Sequence, residues 1–559
     1  MKSSYCKDYW KILAIVTLLL TAGAVSATTY YVRPDGHNES CNGLFNDSVA
    51  SAPNCAWKNI SRAFNTSGAE AGSIIRIQNG TYSNETVVME ELPNSTYPIV
   101  IIGDNNPIMA GNDTNNYTAF TFYRIGRLKN ISDISISGLT IQKYKYGIYA
   151  KTDTGKYWLR NISISNLTLS NMGSAAIYAQ KGSPTNGDEL SNFTIRNNDI
   201  SNFKTSAIDA TTLNFSVITQ NNIHDANVST APSYAIGYII SNSVISYNTI
   251  KNISITGSIT IHGISISANQ YNITIINNYI QNYTGRAIRK DNSETILYPG
   301  VQIWIENNTI IDSQPNGFDF YSANIMYIKN NTLINTTATL LNKNSTFINN
   351  KFINSTVDVI WGGITFQPPD NNIFQNNIFY GLTTNLTIQN CTCSFKNNIF
   401  NFTNNKGIVN NTASLGAYPV NGSYNFEYGR FSLSGITNWT SNLTGNPLFA
   451  NTTSGYYDFH LRSAYGRWNG TAWVKDTETS PAIGAGDPTS DNSLSPWGGV
   501  IEMGAYGNTP EASQGQSSLL DCTTNFCIGV NYRFFTNGSR INIDNAAGTT
   551  ISGLGASAS

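Results

Sequence analysis

Apolar and polar residues alternate with a period of two along most of this chain, and the alternation comes as a phrase that returns. It reads Phe193-Thr-Ile-Arg-Asn-Asn198-Asp-Ile200, then Val217-Ile-Thr-Gln-Asn-Asn222-Ile223 and Val244-Ile-Ser-Tyr-Asn248-Thr-Ile250. Further copies are Ile273-Thr-Ile-Ile-Asn-Asn278-Tyr-Ile280, Ile303-Trp-Ile-Glu-Asn-Asn308-Thr-Ile310 and Met326-Tyr-Ile-Lys-Asn-Asn331-Thr-Leu333, with later ones ending at Asn350, Asn377 and Asn398. Degenerate early copies end at Leu139 and Leu167, and from Gly138 to Asn398 the repeat advances by about 19 to 32 residues. That period, with two-residue alternation inside each copy, predicts one coil of short strands per repeat. No copy shows the 3.6-residue spacing of a helical solenoid, and propeller blades need about forty residues each. The pattern predicts an all-β chain, a right-handed parallel β-helix of about a dozen coils stacked about 4.8 Å apart. The recurring Asn then aligns as a ladder at one corner, where its tolerance of left-handed backbone and its amide are both useful.

A second phrase occurs once per coil: a small residue followed by an apolar one. It runs Gly147-Ile148, Ala176-Ile177, Ala207-Ile208, Ala235-Ile236, Gly263-Ile264, Ala287-Ile288 and Gly317-Phe318. The apolar member is predicted to stack inward. The residues that follow it then project outward as a column: Tyr149, Tyr178, Asp209, Gly237, Ser265, Arg289 and Asp319.

Composition narrows the picture. Charged residues are 12% of the 559, and Lys+Arg 33 against Asp+Glu 34 leaves a net charge of -1, which excludes a basic nucleic-acid-binding chain. Mean hydropathy of -0.22 excludes a multi-span membrane protein, and 24 Phe, 31 Tyr and 9 Trp supply a large core.

The start of the chain predicts export. Lys2, Lys7 and Lys11 precede an apolar run from Ile12 to Val25, and Val25-Ser26-Ala27 supplies small residues for cleavage, so 1–27 is read as a signal peptide. After cleavage no transmembrane segment is expected, and the location is secreted or cell surface. The cysteines fall in local pairs. Cys41 with Cys55, and Cys522 with Cys527, are expected to be disulfides, while Cys391 and Cys393 sit at i, i+2, an awkward spacing for a mutual bridge. No paired CxxC exists, so no zinc site is expected. About thirty Asn-x-Ser/Thr triplets predict a heavily N-glycosylated surface protein.

Both ends carry further phrases. The mature start reads Thr29-Tyr-Tyr-Val-Arg-Pro-Asp-Gly36, then Trp57-Lys-Asn-Ile60 and Ile74-Ile-Arg-Ile-Gln-Asn-Gly-Thr-Tyr82. The far end reads Asn446-Pro-Leu-Phe449, Tyr457-Asp-Phe-His-Leu461, Ser480-Pro-Ala-Ile-Gly-Ala-Gly-Asp-Pro488 and Gly498-Gly-Val-Ile-Glu-Met-Gly-Ala-Tyr506. With the repeats between them, these resemble the pectate-lyase-like family of secreted right-handed β-helix repeat proteins. The resemblance implies an N-terminal cap, coils and closing coils over 28–513, leaving 514–559 as a Ser/Gly/Ala-rich linker with a small stapled appendix. It implies no single activity, because the group mixes lyases, epimerases, hydrolases and non-catalytic surface proteins.

Candidate chemistry lies on the outward column and on a second one two residues on, which holds Lys151, Gln180, Thr211, Ile239, Ser267, Asp291 and Tyr321. Tyr149, Tyr178 and Tyr321 offer flat faces to sugar rings, and Asp209 stands among them as a polar contact. Arg289, Asp291 and Asp319 are the candidate catalytic group, with Arg286 nearby, and Arg289 and Asp319 are expected one rung apart. Alternation points Lys290 inward. His262 and the pair His224-Asp225 are read as corner residues. Two functions follow. One is a surface glycoprotein that binds a polysaccharide or cell-surface glycan in adhesion or the envelope. The other is a polysaccharide lyase acting on an acidic polymer by β-elimination, with Ca²⁺ as its cation. A glycosidase needs two carboxyl groups about 5 to 9.5 Å apart. Asp209 and Asp319 are about 19 Å apart by rung spacing, and only Asp291 with Asp319 would qualify.

Overall fold

A computed structural model describes residues 27–516 apart from 65–71, 90–97, 113, 115, 124–130, 153–157, 181–188, 211–212, 230–232, 257–259, 291–301, 323–324, 343–344, 361–370, 390, 412–417, 430 and 498. The predicted signal peptide, Cys522 and Cys527 therefore lie outside the described residues. Regular structure among the described residues is β, apart from the 3₁₀ turns Val49–Ser51 and Ile60–Phe64. No helix among them is long and apolar enough to cross a membrane. They fall into two compact units. The first holds residues up to 346 with 354–360 and 387–389, and the second holds 347–353, 371–386 and 391–516.

The first unit is a solenoid of parallel strands with three inward stacks. One runs Ile136, Ile164, Ile195, Ile218, Ile245, Ile275, Ile305, Ile328 in strict register. The second runs Ile148, Ile177, Ile208, Ile236, Ile264, Ile288, Phe318, as alternation predicts. The third passes through Ile141, Leu169, Ile200, Ile223, Ile250, Ile280, Ile310 and Leu333. All are buried, each contributing about 1.5–3 kcal/mol relative to exposure. β-Branched side chains suit this arrangement because each packs flat on its copy in the next rung.

The corner before the third stack is made by two residues. The first takes left-handed φ (Asn197, Gln220, Tyr247, Asn277, Asn307 and Asn330) and turns the chain. The next residue is a buried Asn whose amide runs along the solenoid. Asn248 is representative: its backbone N–H and its Nδ2 both donate to Asn278 Oδ1 at 3.0 Å, and Nδ2 also donates to the Ile218 carbonyl at 3.0 Å. Asn198, Asn221, Asn278 and Asn308 repeat the pattern. A corner that would otherwise strand buried backbone groups is thus satisfied rung by rung. At the start of the unit Cys41 and Cys55 are bridged, and Trp57 stacks on Tyr30 at 4.9 Å.

The second unit repeats the scheme with phenylalanine. Phe352, Phe379 and Phe400 stack at 5.0 and 4.9 Å, and Phe347, Phe374 and Phe395 at 4.5 and 4.8 Å. Its own buried ladder links Asn350, Asn377, Asn398 and Asn425, and Asn425 donates onward to the half-buried Asn442. Its corner residues do a further job. Asn349 donates to the Gly507 carbonyl at 3.0 Å, Asn376 to that of Glu502 at 2.9 Å, and Asn397 Oδ1 accepts from the Asp487 N–H at 2.8 Å. These bonds hold the closing phrases against the coils. Cys391 and Cys393 are buried thiols with their sulfurs 2.8 Å apart.

Candidate functional site

The outward column exists as a set of paired residues on the first unit. Tyr149 pairs with Tyr178, Tyr178 with Asp209, and Asp209 with Gly237, while further along Ser265 pairs with Arg289 and Arg289 with Asp319. Parallel in-register strands place identical positions above one another, so the alternation of one coil fixes the face of the next. Asp291 and the side chain of Tyr321 lie outside the described residues.

The column has two regions. At one end Tyr149 and Tyr178 are half-buried, with ring centroids 5.0 Å apart and planes 4° apart. Tyr146 closes on both, at 5.0 and 5.3 Å, and carries Lys145 Nζ 5.5 Å from its ring centroid. Burial, with Asp209 and Tyr149 beside it, pushes the Tyr178 phenol well above its usual range, so it stays protonated as a hydrogen-bond donor.

The other region is a knot of polar groups where four long strands, Ser233–Ser246, Ile261–Ile276, Tyr279–Lys290 and Thr309–Ser322, pass side by side. Asp319 is only 1% exposed, and its nearer cation is Arg286, with Nε 2.7 Å from Oδ2. Arg289 Nε stands 3.8 Å from the same oxygen. Asn316 donates to Asp319 Oδ1 at 3.2 Å. Neither Arg286 nor Arg289 meets Oδ2 with hydrogen-bond alignment, so both contacts are ion pairs rather than directed bonds. Arg289 Nη1 lies 2.7 Å from Nε2 of the buried His262. A guanidinium has only donors, so this contact needs Nε2 as acceptor and the imidazole neutral. Ser265, fully buried one rung before Arg289, has a hydroxyl with no hydrogen-bond partner among the described residues.

Several sequence readings meet their geometry here. Arg289 and Asp319 are one rung apart. Lys290 points inward, fully buried between Ile266 and Phe320 in register. Asp225 turns a corner at φ 49°, and His224 bridges Asp225 at 2.8 Å and Asp199 at 3.0 Å. His262 differs from its reading as a corner residue, since it sits within a strand, in register with Arg286. Aligning the second phrase and counting back two residues from Ile264 and Ile288 would have found both.

Comparisons with known proteins agree on the fold. Residues 123–299 match the family model for the right-handed beta helix region, and residues 343–486 match the model described as disaggregatase related. No curated protein matches the chain. Among solved structures, XylC in complex with xylose is similar over 76% of this chain and 88% of that one, at 12% identity and a TM-score of 0.38. Pectate lyase Pel9A is similar over 87% and 98%, at 12% identity and 0.35. The alginate lyase from Paenibacillus sp. FPU-7 is similar over 52% and 91%, at 14% identity and 0.33. With the stacked parallel strands, the first of the family matches gives the chain a parallel β-helix fold.

Proposed function

We propose that this is a secreted or cell-surface glycoprotein whose outward column holds a carbohydrate polymer bearing carboxylate or sulfate groups, in adhesion or in the cell envelope. The observation that supports it best is the stacked, half-buried Tyr149–Tyr178 pair, its ring planes parallel, in one column with Asp209 and Arg289. Flat aromatic faces bind sugar rings through their apolar side. Asp209, in register with Tyr178, is a hydrogen-bond acceptor for sugar hydroxyls. Arg286 and Arg289 keep 25% and 19% exposure, enough for guanidinium N–H groups to reach an anionic substituent.

A second reading, β-elimination on an acidic polysaccharide, draws on the neutral His262 beside Arg289. In that reaction a base takes the proton at C5, the C4–O bond breaks with its electron pair leaving on oxygen, and a C4–C5 double bond forms. The substrate carboxylate must be neutralised, and Ca²⁺ prefers 6–8 oxygen ligands. Asp319 does not fit that role well, because its carboxylate is already held by Arg286 and Asn316. The two arginines are the better partners for the carboxylate.

One experiment separates the readings. The purified protein is offered polyuronates with and without calcium, and absorbance from unsaturated uronates is followed while retention is measured on a glycan array. Retention of acidic glycans without rising absorbance supports binding alone. Rising absorbance supports the lyase. Neither signal overturns both.

A further inference from the structure

The first unit carries a second set of asparagines, on its outside. Asn161, Asn192, Asn252, Asn272, Asn282 and Asn335 are exposed, with φ between 51° and 56°. Each heads an Asn-x-Ser/Thr triplet. The residue after each is buried: Ile162, Phe193, Ile253, Ile273, Tyr283 and Thr336. The Ser or Thr that follows returns to the outer face, as two-residue alternation requires.

The buried ladder has the opposite parity. The second residue after Asn248, Asn278 and Asn308 is the inward Ile250, Ile280 and Ile310, so none of those three heads a triplet. A hydroxyl there would replace a core isoleucine. In the first unit strand geometry therefore sorts these asparagines into buried ladder amides that cannot be glycan acceptors and corner amides that can.

The corner amides are also occupied in a compatible way. Asn161 Nδ2 donates to Asp133 Oδ1 at 2.8 Å, and Asn192 to Asn161 at 3.0 Å. Asn252 donates to Asp225 at 2.9 Å, Asn282 to Asn252 at 3.1 Å, Asn272 to Asn242 at 3.1 Å and Asn335 to Asp312 at 3.0 Å. Each bond uses one of the two N–H groups on Nδ2. The second can be exchanged for a sugar without breaking the first.

We propose that these corner asparagines are N-glycan attachment sites, so that the solenoid carries its glycans on lines along its outer corners. The step transfers an oligosaccharide from a lipid-linked sugar phosphate. The C1–O bond to phosphate breaks, with its electron pair leaving on the phosphate. A C1–N bond to Nδ2 forms, and the displaced amide proton passes to base. The proposal rests on the reading of the chain as a surface glycoprotein and adds where the sugars stand.

The test is peptide mapping by mass spectrometry on the protein isolated from the cells that naturally make it, beside a Thr194→Ala variant expressed in the same cells. The expected result is sugar on corner asparagines, none on Asn248, Asn278 or Asn308, and loss of sugar at Asn192 in the variant with its secretion unchanged. Sugar elsewhere but on none of the six corner positions overturns the proposal and leaves the glycoprotein reading standing. A chain with no sugar overturns both. Sugar on a buried ladder asparagine overturns the parity argument itself.

Discussion

Arg289 Nη1 lies 2.7 Å from His262 Nε2, in the rung next to its own. The imidazole holds the guanidinium by accepting a hydrogen bond from its N–H, which makes His262 a positioning residue for Arg289. His262→Phe removes the acceptor and His262→Gln restores one. The Phe variant is expected to lose about tenfold in retention of an acidic glycan, the worth of one charge-assisted hydrogen bond of roughly 1.5 kcal/mol. The Gln variant should recover most of it. Equal loss in both would mean that His262 acts only by filling space.

The buried amide ladder makes its own demand. Asn308 donates to Asn331 Oδ1 and to the carbonyls of Ile275 and Glu306, and it accepts from both the N–H and the Nδ2 of Asn278. Asn308→Ala leaves buried donors on Asn278 without an acceptor. The cost is on the order of 3 kcal/mol, read as a clear fall in melting temperature. An unchanged melting temperature would mean that water replaces the ladder.

The inward and outward assignments can be told apart by one pair of variants. Ile264 is fully buried, and Ile264→Asp puts an unpaired carboxylate in the core at a cost of several kcal/mol. Tyr149→Asp changes a half-buried outward residue. Folded Ile264→Asp should be absent from the medium while Tyr149→Asp is secreted. Equal secretion of the two would contradict the stacking.

Glu502 supplies a pH signature for the second unit. Burial pushes its carboxyl well above the usual carboxylate range, opposed by one hydrogen bond from the Ser513 N–H at 3.0 Å. The folded chain therefore keeps a proton that the unfolded chain releases above about pH 4.3. Its contribution to stability is whole below that pH and declines as pH rises toward the folded value. Glu502→Gln carries no such penalty. Its gain in melting temperature over the parent should be larger at pH 8 than at pH 4. The same difference at both would show that the carboxyl does not titrate on unfolding.

Much of the fold was legible in the sequence because a β-helix writes one period twice, as alternation inside a coil and as a phrase between coils. The inward isoleucines, the Asn ladder and even the inward Lys290 follow from that parity. The candidate site was legible only as a column of positions. Its knot of charge was not, because Arg286 rather than Arg289 makes the closer contact with Asp319, and period-two alternation fixes which face a side chain takes but not how far a long one reaches along it. The capture of Glu502 and Gly507 by Asn376 and Asn349 was equally hidden, since it joins residues 126 and 158 apart in sequence.

The central claim is that the outward column recognises an acidic glycan through Arg289 as well as through its tyrosines. The most direct measurement is a glycan array probed with the parent and with Arg289→Ala, each first shown to be secreted and to melt at a similar temperature. The account predicts that the parent is retained by carboxylated or sulfated glycans and that the variant loses that retention. A variant that binds every glycan as the parent does would contradict it.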